Sequence, residues 1–255
     1  MIENKYFLIL IVRLFLGYIF FSAGVCKLTH GNFGQLIGPP WLEELLAKHG
    51  LGLFAQVVAV SQVVCGALLL SQRFSLLGAI MLIPMNVAIL AVTVSQKWVG
   101  TPYVNTVFLL LNLLLLGIER DKFRFLVQPQ QAFHVSPSEL SKIGQNTFSW
   151  LGLGFSLLTM IAAFFSLILT NIFALLAFTS FALTILRSVL HRKLDPVLIA
   201  LPFVAMVILT FAKFVPYAQP VLAAVLLTEA LLLPIRLYQN KKADEDAAPA
   251  SIAAG

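Results

Sequence analysis

The sequence predicts an all-α, polytopic membrane helix bundle of about eight transmembrane helices. Three observations predict it. Hydrophobic residues make up 60% of the 255-residue chain and charged residues only 11%, too little polar surface to cover a water-soluble domain. Several apolar runs reach about 20 residues, the length that crosses a hydrocarbon core. The basic residues, which give a formal charge of +6, fall in short connections between those runs, as orientation signals do.

The first run, 6–28, follows Lys5 as a signal peptide would, but Arg13 interrupts it and no small-x-small cleavage site follows. It reads as an uncleaved first span. Ala23-Gly24-Val25-Cys26 has the outline of a lipoprotein signal, yet Val25 is a poor residue before an acylated cysteine. The next piece, 41–48 after Pro39-Pro40, carries Trp41 and apolar residues at helical spacing. It predicts a short helix lying in the interface and capping the bundle.

Three spans follow at 51–70, 74–95 and 101–116. The run 148–190 would measure about 60 Å as one helix, twice a hydrocarbon core, so it folds back, and Thr170-Asn171 is the expected turn. Spans at 148–170, 171–190, 196–214 and 218–237 complete the eight. Four units result: a four-helix membrane module 1–118, a cytoplasmic linker 119–147 with Pro129 and Pro137, a second four-helix module 148–240, and a disordered tail 241–255. With the N-terminus in the cytoplasm, twelve of the 17 Lys and Arg residues lie on the cytoplasmic side and four outside, with Arg13 within a span. That asymmetry predicts both termini cytoplasmic; seven spans would scramble it.

An ionisable group within a bilayer needs a partner or a task. Arg13 and Glu229 stand at matched depths, about 10 and 12 Å from the same interface, which predicts an ion pair between the two halves. Gln62, Asn86 and Asn112 join them in an expected intramembrane polar cluster, a ligand or proton-handling site. The plainer alternative for these residues is interhelical hydrogen bonding. Pro84, Pro202, Pro220 and Pro234 interrupt or flank spans and read as packing features. Cys26 and Cys65 lie too far apart in depth for a disulfide. His30, His49, His134 and His191 all fall in connections, so no histidine pair is placed to clamp a haem. The sequence shows no metal-binding, phosphate-loop or dinucleotide motif, which sets aside the usual hydrolase, NTPase and flavin chemistries. No metal, intrinsic cofactor, nucleic-acid partner or catalytic residue is expected.

The first span, Arg13-Leu-Phe-Leu-Gly17-Tyr-Ile-Phe-Phe-Ser-Ala-Gly24-Val-Cys-Lys27-Leu28, resembles the opening helix of the DoxX-like family. Gln62-Val-Val-Cys-Gly66-Ala-Leu-Leu-Leu, followed by Arg73, resembles that family's second helix. The resemblance covers residues 6–125 and rests on Arg13, Gly17, Gly24, Lys27 and Gly66. One departure stands out, because the family's second helix usually opens with glutamate where this chain has Gln62; Glu229 is the expected substitute. The resemblance implies a multi-pass protein of the bacterial inner membrane. It also implies an accessory subunit, rather than a self-contained enzyme, of an envelope redox or maturation system, since relatives include the DoxD subunit of thiosulfate and quinone oxidation and MauE-type maturation proteins. A quinone pocket beside Arg13 and envelope protein partners follow as expectations. A small-solute transporter or channel and a non-catalytic scaffold subunit are the alternatives.

Overall fold

The computed structural model describes residues 3–35, 42–123, 139–188, 194–214 and 217–252. Within them the chain is helical throughout, as the apolar runs require. Six helices are long and apolar enough to cross a membrane: α1 (Asn4–Leu28), α3 (Gly52–Leu70), α4 (Ser75–Ser95), α5 (Thr101–Ile118), α8 (Leu167–Ser188) and the Ala218–Asn240 part of α10. Two apolar helices are shorter, α7 (Thr147–Ala162) and α9 (Asp195–Thr210), at 16 residues each. Such a helix is about 24 Å long, less than an average hydrocarbon core. The short segments α2 (Leu42–Lys48) and α6 (Glu139–Ile143) lie at the ends of the bundle.

The centre of the bundle is α1. Phe7, Leu10, Leu14, Leu16, Phe21 and Val25 are fully buried along its length, and it packs chiefly on α3, with further contacts to α5, α6, α7 and α9. Small residues set the α1–α3 spacing. A Cβ on Gly24 would stand 2.5 Å from the Ala59 carbonyl oxygen, and one on Gly66 would stand 2.5 Å from the Phe21 nitrogen. Without a hydrophobic driving force between helices in lipid, such close backbone approach supplies the packing energy.

The remaining spans are added as hairpins: α3–α4, α4–α5, α7–α8 and α9–α10. Asn4, Gln72, Glu119, Asn146, Ser188 and Asp195 collect on the face that carries the start of α1, here the N-face. On the opposite face, Lys213 after α9 donates to the Gly31 carbonyl after α1 (2.5 Å). The chain thus weaves back and forth between two faces.

Several boundaries differ from the sequence expectation. The turn expected at Thr170-Asn171 lies at 163–166, and both residues are inside α8. Their polarity does not break the helix because the Thr170 hydroxyl donates back to the Ser166 carbonyl (2.8 Å), while Ser166 Oγ accepts from the Leu169 amide at 3.5 Å as α8 begins. The helix α10 continues to Ile252, past residue 241, where a disordered tail is expected; the alanines there are strong helix formers. In the expected linker 119–147, Pro129 and Pro137 lie outside the described residues, but Leu140 and Ile143 of α6 are buried where α6 packs on α1 and α8. The expected interface helix is α2, whose buried Leu46 packs with Ala55, Val92 and Trp98 over the face opposite the N-face; Pro39, Pro40 and Trp41 lie outside the described residues.

Candidate functional site

The residues expected to form one polar cluster occupy three separate places. The first is at the N-face. Gly17 on α1 faces Gly66 and Leu70 at the end of α3, so the turns of α1 before it extend past the end of α3. Arg13 lies on this extension, 4% exposed, and donates from Nη2 to Glu119 Oε1 and from Nη1 to Gln72 Oε1 at 3.4 Å. Glu119 is the C-cap of α5 and also accepts from Lys122 at 2.8 Å. Gln72 follows the C-cap of α3 with φ of 55°, a left-handed conformation that glycine usually supplies. Its side chain is held there by donating to the Leu69 carbonyl (2.8 Å).

The expected Arg13–Glu229 pair is therefore not formed. Glu119 supplies the carboxylate instead. Depth alone is a poor guide to partnership, since successive residues on a helix point about 100° apart. Val12 faces the cleft that holds Glu229, whereas Arg13 turns toward α3 and α5.

The second place is inside the first four spans, toward the opposite face. Lys27, 4% exposed, reaches back along α1 to donate to the Ala23 carbonyl and to Gln62 Oε1, both at 3.0 Å. Gln62 thus serves Lys27, not Arg13. The two side chains border a cavity of about 60 Å³ between α1, α3, α4 and α5, which Thr93, Trp98, Thr101 and Asn105 also line. Asn105 donates to the Asn86 carbonyl (2.8 Å) and Asn112 to the Ala79 carbonyl (2.9 Å), so Asn105 and Asn112 tie α5 to α4. Both amide atoms of Asn86 are buried with no hydrogen-bond partner among the described residues.

The third place is a cleft of about 280 Å³ between α1, α9 and α10. Ile11, Val12, Phe15, Pro202, Ala205, Met206, Leu209, Leu222 and Leu226 make it apolar, and Tyr18 and Glu229 are its polar members. Tyr18 donates to the Met206 carbonyl (3.1 Å) and lies 3.5 Å from Thr210 Oγ1. Glu229 is half-buried and makes no hydrogen bond or ion pair among the described residues. Because α10 lies at the edge of the bundle, with 6% of its span buried, the cleft is lipid-facing.

A further ion pair was not anticipated. Arg236 of α10 and Asp195 at the start of α9 are each 1% exposed and bond at 2.9 Å. Arg236 also donates to Asn4 Oδ1 (2.7 Å) and lies 4.1 Å from the centre of the Phe7 ring. Asn240 joins through the same Asn4 oxygen at 2.7 Å. The sequence signal was available in Asp195, an acid next to Pro196 at a helix start, where a carboxylate is favoured. Among the described residues no group of three or more His, Cys, Asp or Glu is placed to hold a metal ion, and Cys26 and Cys65 are free and buried.

Comparison with known proteins bears on the first spans. The chain is 28% identical over 123 residues to "Uncharacterized protein YwoB" of Bacillus subtilis (strain 168), a match covering 44% of this chain and 76% of the relative. No solved structure matches the chain. The DoxX family model matches residues 8–95, a range that takes in α1, α2, α3 and α4 with Arg13, Gly17, Gly24, Lys27, Gln62 and Gly66. Residues 8–95 of the membrane bundle are thus similar to the DoxX family.

Proposed function

We propose that the chain is an accessory subunit of an envelope redox or maturation system in a bacterial inner membrane, and that its lipid-facing cleft receives a quinone-class ring. The observation that carries the reading is Glu229, a carboxyl group without a partner among the described residues, in a cleft within the membrane whose other lining residues, Tyr18 apart, are apolar. An ionisable side chain in that setting marks a site of function more often than a packing feature. A quinone headgroup fits the donor set, since it is an apolar ring with two oxygens that accept hydrogen bonds as quinone and donate them as quinol. Glu229 would hold one ring oxygen, and its carboxyl exchanges a proton readily. Tyr18, already donating to Met206, has its oxygen lone pairs left as acceptors. The apolar walls exclude water, and an isoprenoid tail would leave through the open side into lipid. When bound, the quinone supplies two-electron chemistry, with partner proteins of the envelope as the other party.

The pocket expected beside Arg13 is relocated to Glu229, one face of α1 away. A solute path along the bundle has less support, because the interior between the two polar ends of α1 is filled by Leu14, Phe21, Leu69 and Leu70, all fully buried. The test is lipid extraction of the full chain purified in mild detergent, followed by titration with a short-chain quinone. Co-purifying quinone and saturable binding, weakened about threefold to tenfold in Glu229→Leu by loss of a hydrogen bond donated by the protonated carboxyl to the ring oxygen, are expected. Neither retained quinone nor saturable binding would sink the reading.

A further inference from the structure

We infer that the N-face carries an anionic phospholipid site at Arg73, whose guanidinium holds the headgroup phosphate while an acyl chain lies along the outer face of α7. The site is apart from the Glu229 cleft and does not depend on the quinone reading.

Arg73 stands in the turn between α3 and α4, directly after Gln72. The start of α7 fixes that turn, because a Cβ on Gly144 would collide with the Arg73 nitrogen and Ser149 Oγ donates to the Ser71 carbonyl (3.0 Å). The guanidinium carbon lies 4.9 Å from the centre of the Trp150 ring and 5.7 Å from that of Phe74, within cation–π range. The two rings meet edge to face at 5.5 Å. The cation is therefore held in a preformed aromatic corner.

That corner leaves its hydrogen bonding undone. Among the described residues Arg73 makes one hydrogen bond, a long one of 3.4 Å to the Gly144 carbonyl, and pairs with no carboxylate. Ring contacts consume no N–H, so most of the planar fork of donors is open. Such a fork matches the two free oxygens of a phosphodiester.

The surroundings select a lipid over an anion from water. Trp150 is 54% exposed at the end of an apolar helix, where aromatic rings sit at headgroup depth. From it Gly154, Leu157 and Ile161 follow at helical spacing, all exposed, and a Cβ on Gly154 would meet nothing within 4 Å. An apolar track with a shallow notch thus leads from the cation toward the bilayer core. A free phosphate gains nothing from it, whereas an acyl chain lies along it.

Trp150 is also the reporter. With Trp41→Phe and Trp98→Phe it is the one tryptophan left of three. The full chain in mild detergent is titrated with phosphatidylglycerol or phosphatidylcholine brominated in the acyl chains, since bromine quenches tryptophan on contact. Saturable quenching is expected, with phosphatidylglycerol bound about fivefold more tightly, as one cation at a membrane surface provides. The preference falls to parity in Arg73→Gln and is kept in Arg120→Gln, which removes an exposed cation elsewhere on the N-face. Excess inorganic phosphate leaves it unchanged. If Arg73→Gln is not monodisperse on size exclusion, unbrominated lipids decide in its place: phosphatidylglycerol restores the emission and phosphatidylcholine does so about fivefold less effectively. Equal binding of the two lipids, a preference that survives Arg73→Gln or is lost in Arg120→Gln, or its removal by phosphate overturns the inference.

Discussion

Arg13 and Glu119, 106 residues apart in the chain, form an ion pair at the N-face that closes α1 onto the end of α5. Both side chains are less than one-tenth exposed, so neither can be satisfied by water when the other is lost. Glu119→Leu is expected to destabilise the protein by about 3–5 kcal/mol, because it leaves a buried charge unpaired. Removing both charges, in Arg13→Met with Glu119→Leu, is expected to recover most of that loss. Unfolding in detergent micelles measures both, and a single variant as stable as the parent would refute the pairing.

Much of the bundle was legible in the sequence because lipid leaves few choices. Long apolar runs must be helices, and α1, α3, α4 and α5 begin within about two residues of where hydropathy places them. The turn between α7 and α8 was misread because Thr170 and Asn171 are the polar residues, whereas the actual turn at 163–166 contains Phe164 and Phe165, both exposed. A hydroxyl can be satisfied inside a helix, so polarity there did not mean a break.

The site was legible in depth and illegible in rotation. Arg13 and Glu229 do stand at similar levels, since Val12 and Phe15 line the cleft with Glu229. Which way Arg13 points depends on where α3 and α5 pack, and that follows from the glycines at 17, 24 and 66. Glu119 was hidden for a different reason. It falls three residues past the span expected at 101–116 and was counted with the linker, although the protruding start of α1 brings Arg13 to its level.

Substitution at the helix contact gives a second test. Gly66→Ala places a methyl group 2.5 Å from the Phe21 nitrogen and 2.6 Å from the Gly17 carbonyl oxygen, backbone that cannot move aside cheaply. A loss of about 1–3 kcal/mol is expected from overpacking. Gly154→Ala, where a Cβ would meet nothing within 4 Å, serves as the comparison and is expected to be neutral or slightly stabilising through helix propensity. Equal melting temperatures for the two variants would argue against close α1–α3 packing.

The Arg236–Asp195 pair joins the last two helices, and Asn4 links it to α1. Asp195→Asn keeps the shape and removes the charge, leaving Arg236 buried without its counter-ion. The expected loss is about 3 kcal/mol or more, with faster proteolysis of α10 than of the rest of the bundle, since α10 otherwise has little buried surface. Limited proteolysis followed by mass mapping reads this out, and an unchanged cleavage pattern would contradict the assigned role.

Gln62→Glu tests the partnership of Gln62 directly. A carboxylate there would face Lys27 at hydrogen-bond distance, so the variant is expected to unfold at a higher temperature. Charge-assisted hydrogen bonds are roughly twice as strong as neutral ones. If Gln62 served Arg13 instead, that gain in stability would not accompany the substitution.

The placement of α1 at the centre of the bundle has a consequence for biosynthesis. It is made before the other helices described here, yet its polar groups are satisfied by residues made much later: Gln62 and Gln72 for Lys27 and Arg13, then Glu119, and finally Arg236 for Asn4. Until the last helix is inserted, the central strut of the assembly waits with its ends unmatched. Stalling or truncation anywhere before α10 would therefore leave α1 exposed, and quality control by membrane proteases should act on α1 first.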